Sequence, residues 1–195
     1  MVNTIDLKKE IITRIKSVTS SWTEEDIYAI SLFVYDEGDN PCEPTVTLGY
    51  NTERDYKQAV PSASNQLEAR WNYAFWRQNQ ELVFGINETA KIVKQWIVEK
   101  GLPYYTYEEL FENNVYDNIF ECIDALQLEK ITAEFVDVLI CVVKELHETG
   151  FIEGEFGRKI PVIIHELEYY DKIAEQNIEA NTLPLVQGLV DFINE

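Results

Sequence analysis

The stretch from Asp26 to Tyr50, DIYAISLFVYDEGDNPCEPTVTLGY, constrains the fold more than any other part of the chain. An apolar run from Ile27 to Tyr35 and a second run from Thr45 to Tyr50 are separated by a turn holding Asp36, Glu37, Gly38, Asp39, Asn40 and Pro41. Two β-rich runs joined by Gly, Pro, Asn and Asp predict a hairpin. In the first run both alternating sets are apolar, with Tyr28, Ile30, Leu32 and Val34 on one side and Ala29, Phe33 and Tyr35 on the other. That pattern predicts a central strand covered on both faces. In the second run Val46, Leu48 and Tyr50 alternate with Thr45, Thr47 and Gly49, which predicts a single buried face.

The flanking segments supply helices to cover this sheet. Asn3 or Thr4 can cap a helix in which Leu7, Ile11, Ile15 and Val18 form one stripe. Asn51 and Thr52 can cap ERDYKQAV, which Pro61 stops. Asn87-Glu88-Thr89 matches a glycosylation acceptor but reads better as the cap of a helix that ends at Gly101. Thr106 and Glu109 form a T-x-x-E capping box for a helix with Val115, Ile119, Ile123 and Leu126 on one stripe. The segment Ile131–Thr149 is apolar on every side. Thr132 at its start, with Lys144, His147 and Gly150 at its end, favours a helix over a buried strand. A loop, FIEGEFG, leads to a third strand at Ile160–Ile164, and two helices, around Tyr169–Ala180 and from Pro184 to Ile193, close the chain. The predicted fold is α+β: one domain over residues 1–195, with a small, largely antiparallel sheet built on the central hairpin and surrounded by about six or seven helices.

Charge narrows the function. Sixteen basic residues face 35 acidic ones, a net charge of −19, while 46% of the chain is hydrophobic. The acid must therefore be carried on a folded surface. It repels phosphate backbones and anionic lipid, so neither nucleic acid nor membrane is an expected partner, whereas a basic protein is. Between Lys100 and Lys130 there is no basic residue against seven acidic ones, among them Glu108, Glu112, Asp117, Glu121 and Asp124 as binding candidates. The other reading of this run is a solvated face that keeps the protein soluble. A second candidate surface is aromatic: Trp71, Tyr73, Phe75 and Trp76 crowd between Arg70 and Arg77. These rings either close the end of the core or, with Trp71, Tyr73, Trp76 and Arg77 as anchors, form a contact surface.

No motif names a reaction. HExxH, GxSxG, GxGxxG and a Walker loop are all missing. His165-Glu166 with Glu168 and Asp171 is the best cluster for metal or acid–base work. On a strand, however, His165 points with Ile163 and Leu167 while Glu166 and Glu168 point the other way, which favours a core or edge histidine. The turn carboxylates Asp36, Glu37, Asp39 and Glu43 lack EF-hand spacing, and Cys42, Cys122 and Cys141 contain no CxxC pair. No catalytic residue, metal or cofactor is predicted. The N-terminus lacks a signal-peptide pattern and no segment approaches the ~20 apolar residues of a membrane span, so the expected location is cytoplasmic.

The runs IYAISLFVYDEGDNPCEPTVTLGYNTERDY, ARWNYAFW and FGRKIPVIIHELEYYD resemble a family of bacterial proteins known only as a domain of unknown function. The resemblance covers most of the chain, its motifs are structural, and it carries over no catalytic residue. Some similar small acidic proteins are immunity proteins beside polymorphic toxins, and the resemblance implies that role as one reading. The leading expectation is thus a cytosolic acidic binding protein that neutralises a basic partner such as a toxin. The alternative is an enzyme or small-ligand-binding protein with its site near residues 70–77 and Glu166 or Glu168 as a carboxylate. A DNA mimic is a third reading, weakened by the Lys and Arg of the first helix. A homodimer through the aromatic patch fits any of them.

Overall fold

The hairpin forms as its pattern predicts, except that a register shift between Ile27 and Ala29 leaves Tyr28 on the side of Ala29 and not with Ile30, Leu32 and Val34, and it occupies the middle of a four-stranded mixed sheet. The computed structural model describes residues 4–112 and 123–195. Strands β1 (Ile27–Asp36) and β2 (Pro44–Thr52) pair antiparallel, with Ile30 opposite Tyr50 and Tyr35 opposite Thr45. β3 (Leu82–Phe84) adds antiparallel to β2, and β4 (Val162–His165) adds parallel to β1, giving the order β3-β2-β1-β4. The sheet is therefore largely antiparallel within an α+β fold.

One face of the sheet presents Ile30, Leu32, Val34, Val46, Leu48, Val162 and Ile164. It shares a hydrophobic core with α1 (Thr4–Thr19), α4 (Asn87–Glu99) and α5 (Ile123–Glu148), which contribute Leu7, Ile11 and Ile15, then Val93, Trp96 and Ile97, then Phe135, Leu139 and Val143. The opposite side holds a second core of Tyr28, Ala29 and Ile163 with Trp71 and Trp76 and with Val186 and Leu189 of α8 (Leu183–Ile193). Trp71 ends α3 (Gln66–Trp71).

This second cover corrects the reading of β2. All nine of its residues are buried, Thr45, Thr47 and Asn51 included. The segment after Trp76 runs along the strand and leaves no solvated face: Asn79 accepts from the Tyr50 N–H at 3.0 Å, and Asn51 accepts from the Arg77 N–H at 3.3 Å. Threonine and asparagine therefore mark a buried polar seam here, not an exposed side.

Several predicted ends hold. Thr52 caps α2 (Glu53–Ala59) by accepting from the Asp55 N–H. Gly101, at φ +71°, ends α4, with the Leu102 N–H bonded to Ile97 O at 3.2 Å and the Gly101 N–H to Val98 O at 3.0 Å, the paired closure of a Schellman motif. The Thr106–Glu109 capping box forms in both directions, at 2.8 and 3.3 Å, before a π-helical turn at Glu108–Glu112.

Others need correction. Asn87 does not cap α4: it stands at φ +51°, and Thr89 instead accepts from the Gly85 N–H and donates to Ile86 O. α5 runs unbroken for 26 residues through the boundary expected near Lys130, because neither Gly nor Pro interrupts it. Thr132 is consequently an interior residue and not a cap. FIEGEF is a short helix, α6 (Phe151–Phe156), set between Gly150 and Gly157, both left-handed. The third strand starts after Pro161, and α7 (Asp171–Asn181) and α8 follow close to the predicted places. Asn3, Val115, Ile119 and Cys122 lie outside the described residues. Cys42 is buried and Cys141 exposed, both as free thiols.

Candidate binding groove

The groove arises because β1 outruns its parallel neighbour. The last pairing between them joins Phe33 to His165, and β1 continues to Asp36 while the chain after His165 turns away toward α7. Two depressions open there, of about 380 and 640 Å³, sharing Phe33, Tyr35, Asp36 and Leu167. Glu166, Glu168, Tyr170 and Thr132 of α5 wall the first, and Asp39, Tyr73, Gln78 and Gln80 wall the second.

The floor is aromatic. Phe33 and Tyr35 point the same way from β1, their rings 5.5 Å apart and 21° from parallel, and Tyr73 stacks on Phe33 at 5.2 Å and 14°. Leu167, 73% exposed, and Tyr170 stand at the rim. The charge is one-sided: Asp36, Asp39, Glu166 and Glu168 line the two depressions, and none of the described lining residues is basic. Asp36 lies where the two depressions meet. Burial pushes its carboxyl up to about 6, with Glu166 and Asp39 adding to the rise, against a hydrogen bond from Thr132 that favours the ionised form. In the wall of the first depression the Tyr170 hydroxyl donates to Glu166 at 3.2 Å.

Beneath the aromatic floor lies a pair that resembles a catalytic dyad. Ser31 Oγ is 2.8 Å from His165 Nε2, and His165 Nδ1 is 3.0 Å from the Glu166 carbonyl. A carbonyl only accepts, so Nδ1 carries the proton and Nε2 accepts from the serine. Both residues are buried, and the imidazole is in ring contact with Phe33, Tyr73, Trp76 and Tyr169. Burial holds the imidazole pKa down at about 4. A neutral, sealed His–Ser pair ties β4 to β1 and meets no substrate. His165 is the core histidine that strand alternation favours, on the side of Ile163.

The other candidates are dispersed. Trp71 and Trp76 belong to the second core, each 6% exposed, and Trp76 Nε1 donates to Arg70 O at 2.8 Å; they are packing residues, not surface anchors. Burial wins for them because each ring lies against Tyr28, at 6.1 Å in both pairs. Tyr73 alone of the aromatic segment's candidates lines the groove. Arg77 is turned to Glu24 at 3.2 Å and to the Tyr50 hydroxyl at 3.1 Å, toward the start of β1. Glu108 is exposed beside the capping box, Glu112 ends the π-helical turn and Asp124 is in the first turn of α5. Asp117 and Glu121 lie outside the described residues. Sequence reasoning missed Asp36 and Thr132 as partners, having read one as a turn residue and the other as a cap. Among the described residues no three His, Cys, Asp or Glu side chains gather to hold a metal ion, and no helix is long and apolar enough to cross a membrane.

No family model, curated protein or solved structure matches the chain. Fold and groove together define an α+β protein with an acidic, aromatic groove at the end of its central hairpin.

Proposed function

We propose that the chain is an acidic binding protein whose groove receives a basic segment of a protein partner, the role an immunity protein plays toward a basic toxin in the cytoplasm. One observation carries the reading: four carboxylates surround a stacked aromatic floor, with no basic residue among the described lining residues. Stacked rings supply contact area at low entropic cost, and the carboxylates select for positive charge. The net charge of −19 adds long-range steering, which speeds association and is screened by salt.

The test compares two triple variants of equal charge. Asp39→Lys/Glu166→Lys/Glu168→Lys reverses the groove, whereas Glu153→Lys/Glu155→Lys/Glu175→Lys reverses exposed acids elsewhere. A partner cross-linked to the wild-type chain in its native host should be lost with the first variant and retained with the second. Equal loss with both would reduce the groove to a bystander of overall charge.

A second reading, a receptor for a small organic cation, is favoured by the meeting of Tyr73, Glu166 and Glu168 around connected depressions of ligand size. It predicts saturable binding of small amines with no protein captured.

A further inference from the structure

We propose that the inner end of the groove is an arginine subsite, selective for a planar guanidinium over a lysine ammonium. The proposal rests on the basic-partner reading and narrows it to one side-chain chemistry. Phe33, Tyr35 and Tyr73 form a ladder of near-parallel rings, tilted by 21° and 14° between neighbours, with the half-buried Tyr35 at one end. A flat, weakly hydrated guanidinium can extend such a ladder by stacking, whereas an ammonium has no plane to stack and keeps its water more tightly. Asp36 follows Tyr35 directly, and Thr132, which walls the same depression, holds its carboxylate at 2.9 and 3.2 Å. Carboxylates take guanidinium through two parallel N–H bonds, a geometry closed to lysine.

The fold already uses this combination on one of its own arginines. The Arg70 guanidinium lies 4.0 Å from the Tyr28 ring centroid and 5.0 Å from that of Tyr56, while its two terminal nitrogens donate to Glu53 at 3.1 and 2.8 Å. Tyr28 stands near the start of β1 and Tyr35 near its end. At the start the cation comes from the chain itself. At the end, ring and carboxylate face a groove with no basic side chain among its described lining residues. Asp36 is desolvated there and faces further negative charge from Glu166 and Asp39, so a guanidinium beside it offsets a cost that folding has already incurred.

The experiment titrates the purified chain with N-acetyl-arginine amide, N-acetyl-lysine amide and the neutral isostere N-acetyl-citrulline amide, read by calorimetry and by the NMR shifts of the Tyr35 and Tyr73 rings. The arginine probe should bind about tenfold more tightly than either of the others and move both ring signals. Asp36→Asn, which keeps an acceptor for Thr132, should weaken the arginine probe by about tenfold, and Glu166→Gln supplies an independent second variant. Arginine and lysine probes binding equally would overturn the subsite while leaving the basic-partner reading intact. Citrulline binding as well as arginine would overturn it too, since charge would then play no part. If neither cationic probe nor a decapeptide of arginine or lysine binds, both readings fall together.

Discussion

The hydroxyl of Thr132, midway along α5, donates to both carboxylate oxygens of Asp36, the last residue of β1, at 2.9 and 3.2 Å. This contact across 96 residues of sequence joins the main core helix to the groove. It also decides how much of Asp36 is charged near neutrality, because a hydrogen bond to the ionised form opposes the rise imposed by burial. Thr132→Val should therefore move the Asp36 titration upward from about 6, while Thr132→Ser leaves it in place. A carboxyl-carbon NMR titration of Asp36 in the three proteins reads this directly, and an unmoved midpoint in the valine variant would remove Thr132 from the account of the groove.

Stability should respond to pH through two groups, the buried His165 and the half-buried Asp36, acting in opposite directions. His165 has a folded pKa of about 4 against an ordinary 6.5, so between these values the unfolded chain binds a proton that the folded one refuses. Its contribution is intact above pH 6.5 and falls away toward pH 4, by about 3 kcal/mol in all. Asp36 has a folded pKa of about 6 against 3.8, so its favourable contribution is present below pH 3.8 and is lost as pH rises through 6. Asp36→Asn removes only the second effect. Its stability relative to wild type should rise by up to about 3 kcal/mol between pH 4 and 7, measured from urea midpoints. Parallel profiles for the two proteins would show that Asp36 ionises in the fold as it does in water.

What the sequence made legible, and what it hid, follows from the range of the forces involved. The hairpin, the Thr52 cap, the Schellman end at Gly101 and the capping box at Thr106 are local, and local chemistry dictates them. β3 has only three residues, too few for any alternation to register. The second cover on β2 depends on a segment some 30 residues downstream folding back over Thr45, Thr47 and Asn51, residue types that alternation assigns to solvent. The groove was half visible. Tyr73, Glu166 and Glu168 were singled out, but for separate reasons, and their meeting depends on β1 extending past β4. Asn177 and Asn181 passed unnoticed although their i, i+4 spacing puts both on one helical face.

Those two asparagines complete the edge of the sheet. Asn177 accepts from the Ile164 N–H at 2.9 Å and donates back to Ile164 O at 2.7 Å; Asn181 does the same for Val162, at 2.8 and 2.9 Å. β4 thus has its outer edge paired by side-chain amides of α7 where a fifth strand would otherwise add. Replacing either by Ala should cost about 2–4 kcal/mol, since each change strands buried backbone groups. Denaturant unfolding measures the loss. Concentration-dependent association in the double variant would report the uncovered edge, and a loss below about 0.5 kcal/mol would mean that water replaces the amides without penalty.

Gly49 is required by sterics and not by backbone freedom. It lies within the extended run of β2, yet a Cβ placed on it would sit 2.5 Å from the backbone oxygen of Asn79 and 2.9 Å from its side-chain oxygen. Asn79 cannot retreat cheaply, because that side-chain oxygen also accepts from the Tyr50 N–H and the Glu81 N–H is bonded to Leu48 O at 2.9 Å. Gly49→Ala must push this segment off β2, at a cost of about 1–3 kcal/mol typical of overpacking. The damage should be local: the Tyr50 amide should lose protection from hydrogen exchange, while Leu32 and Val34, which sit in the main core, keep theirs. Because Gln78 and Gln80 flank Asn79 and line the groove, the same variant should also weaken binding of a cationic probe. Full protection at Tyr50 together with unchanged stability would mean that the 77–80 segment rides over β2 without the contact that closes it.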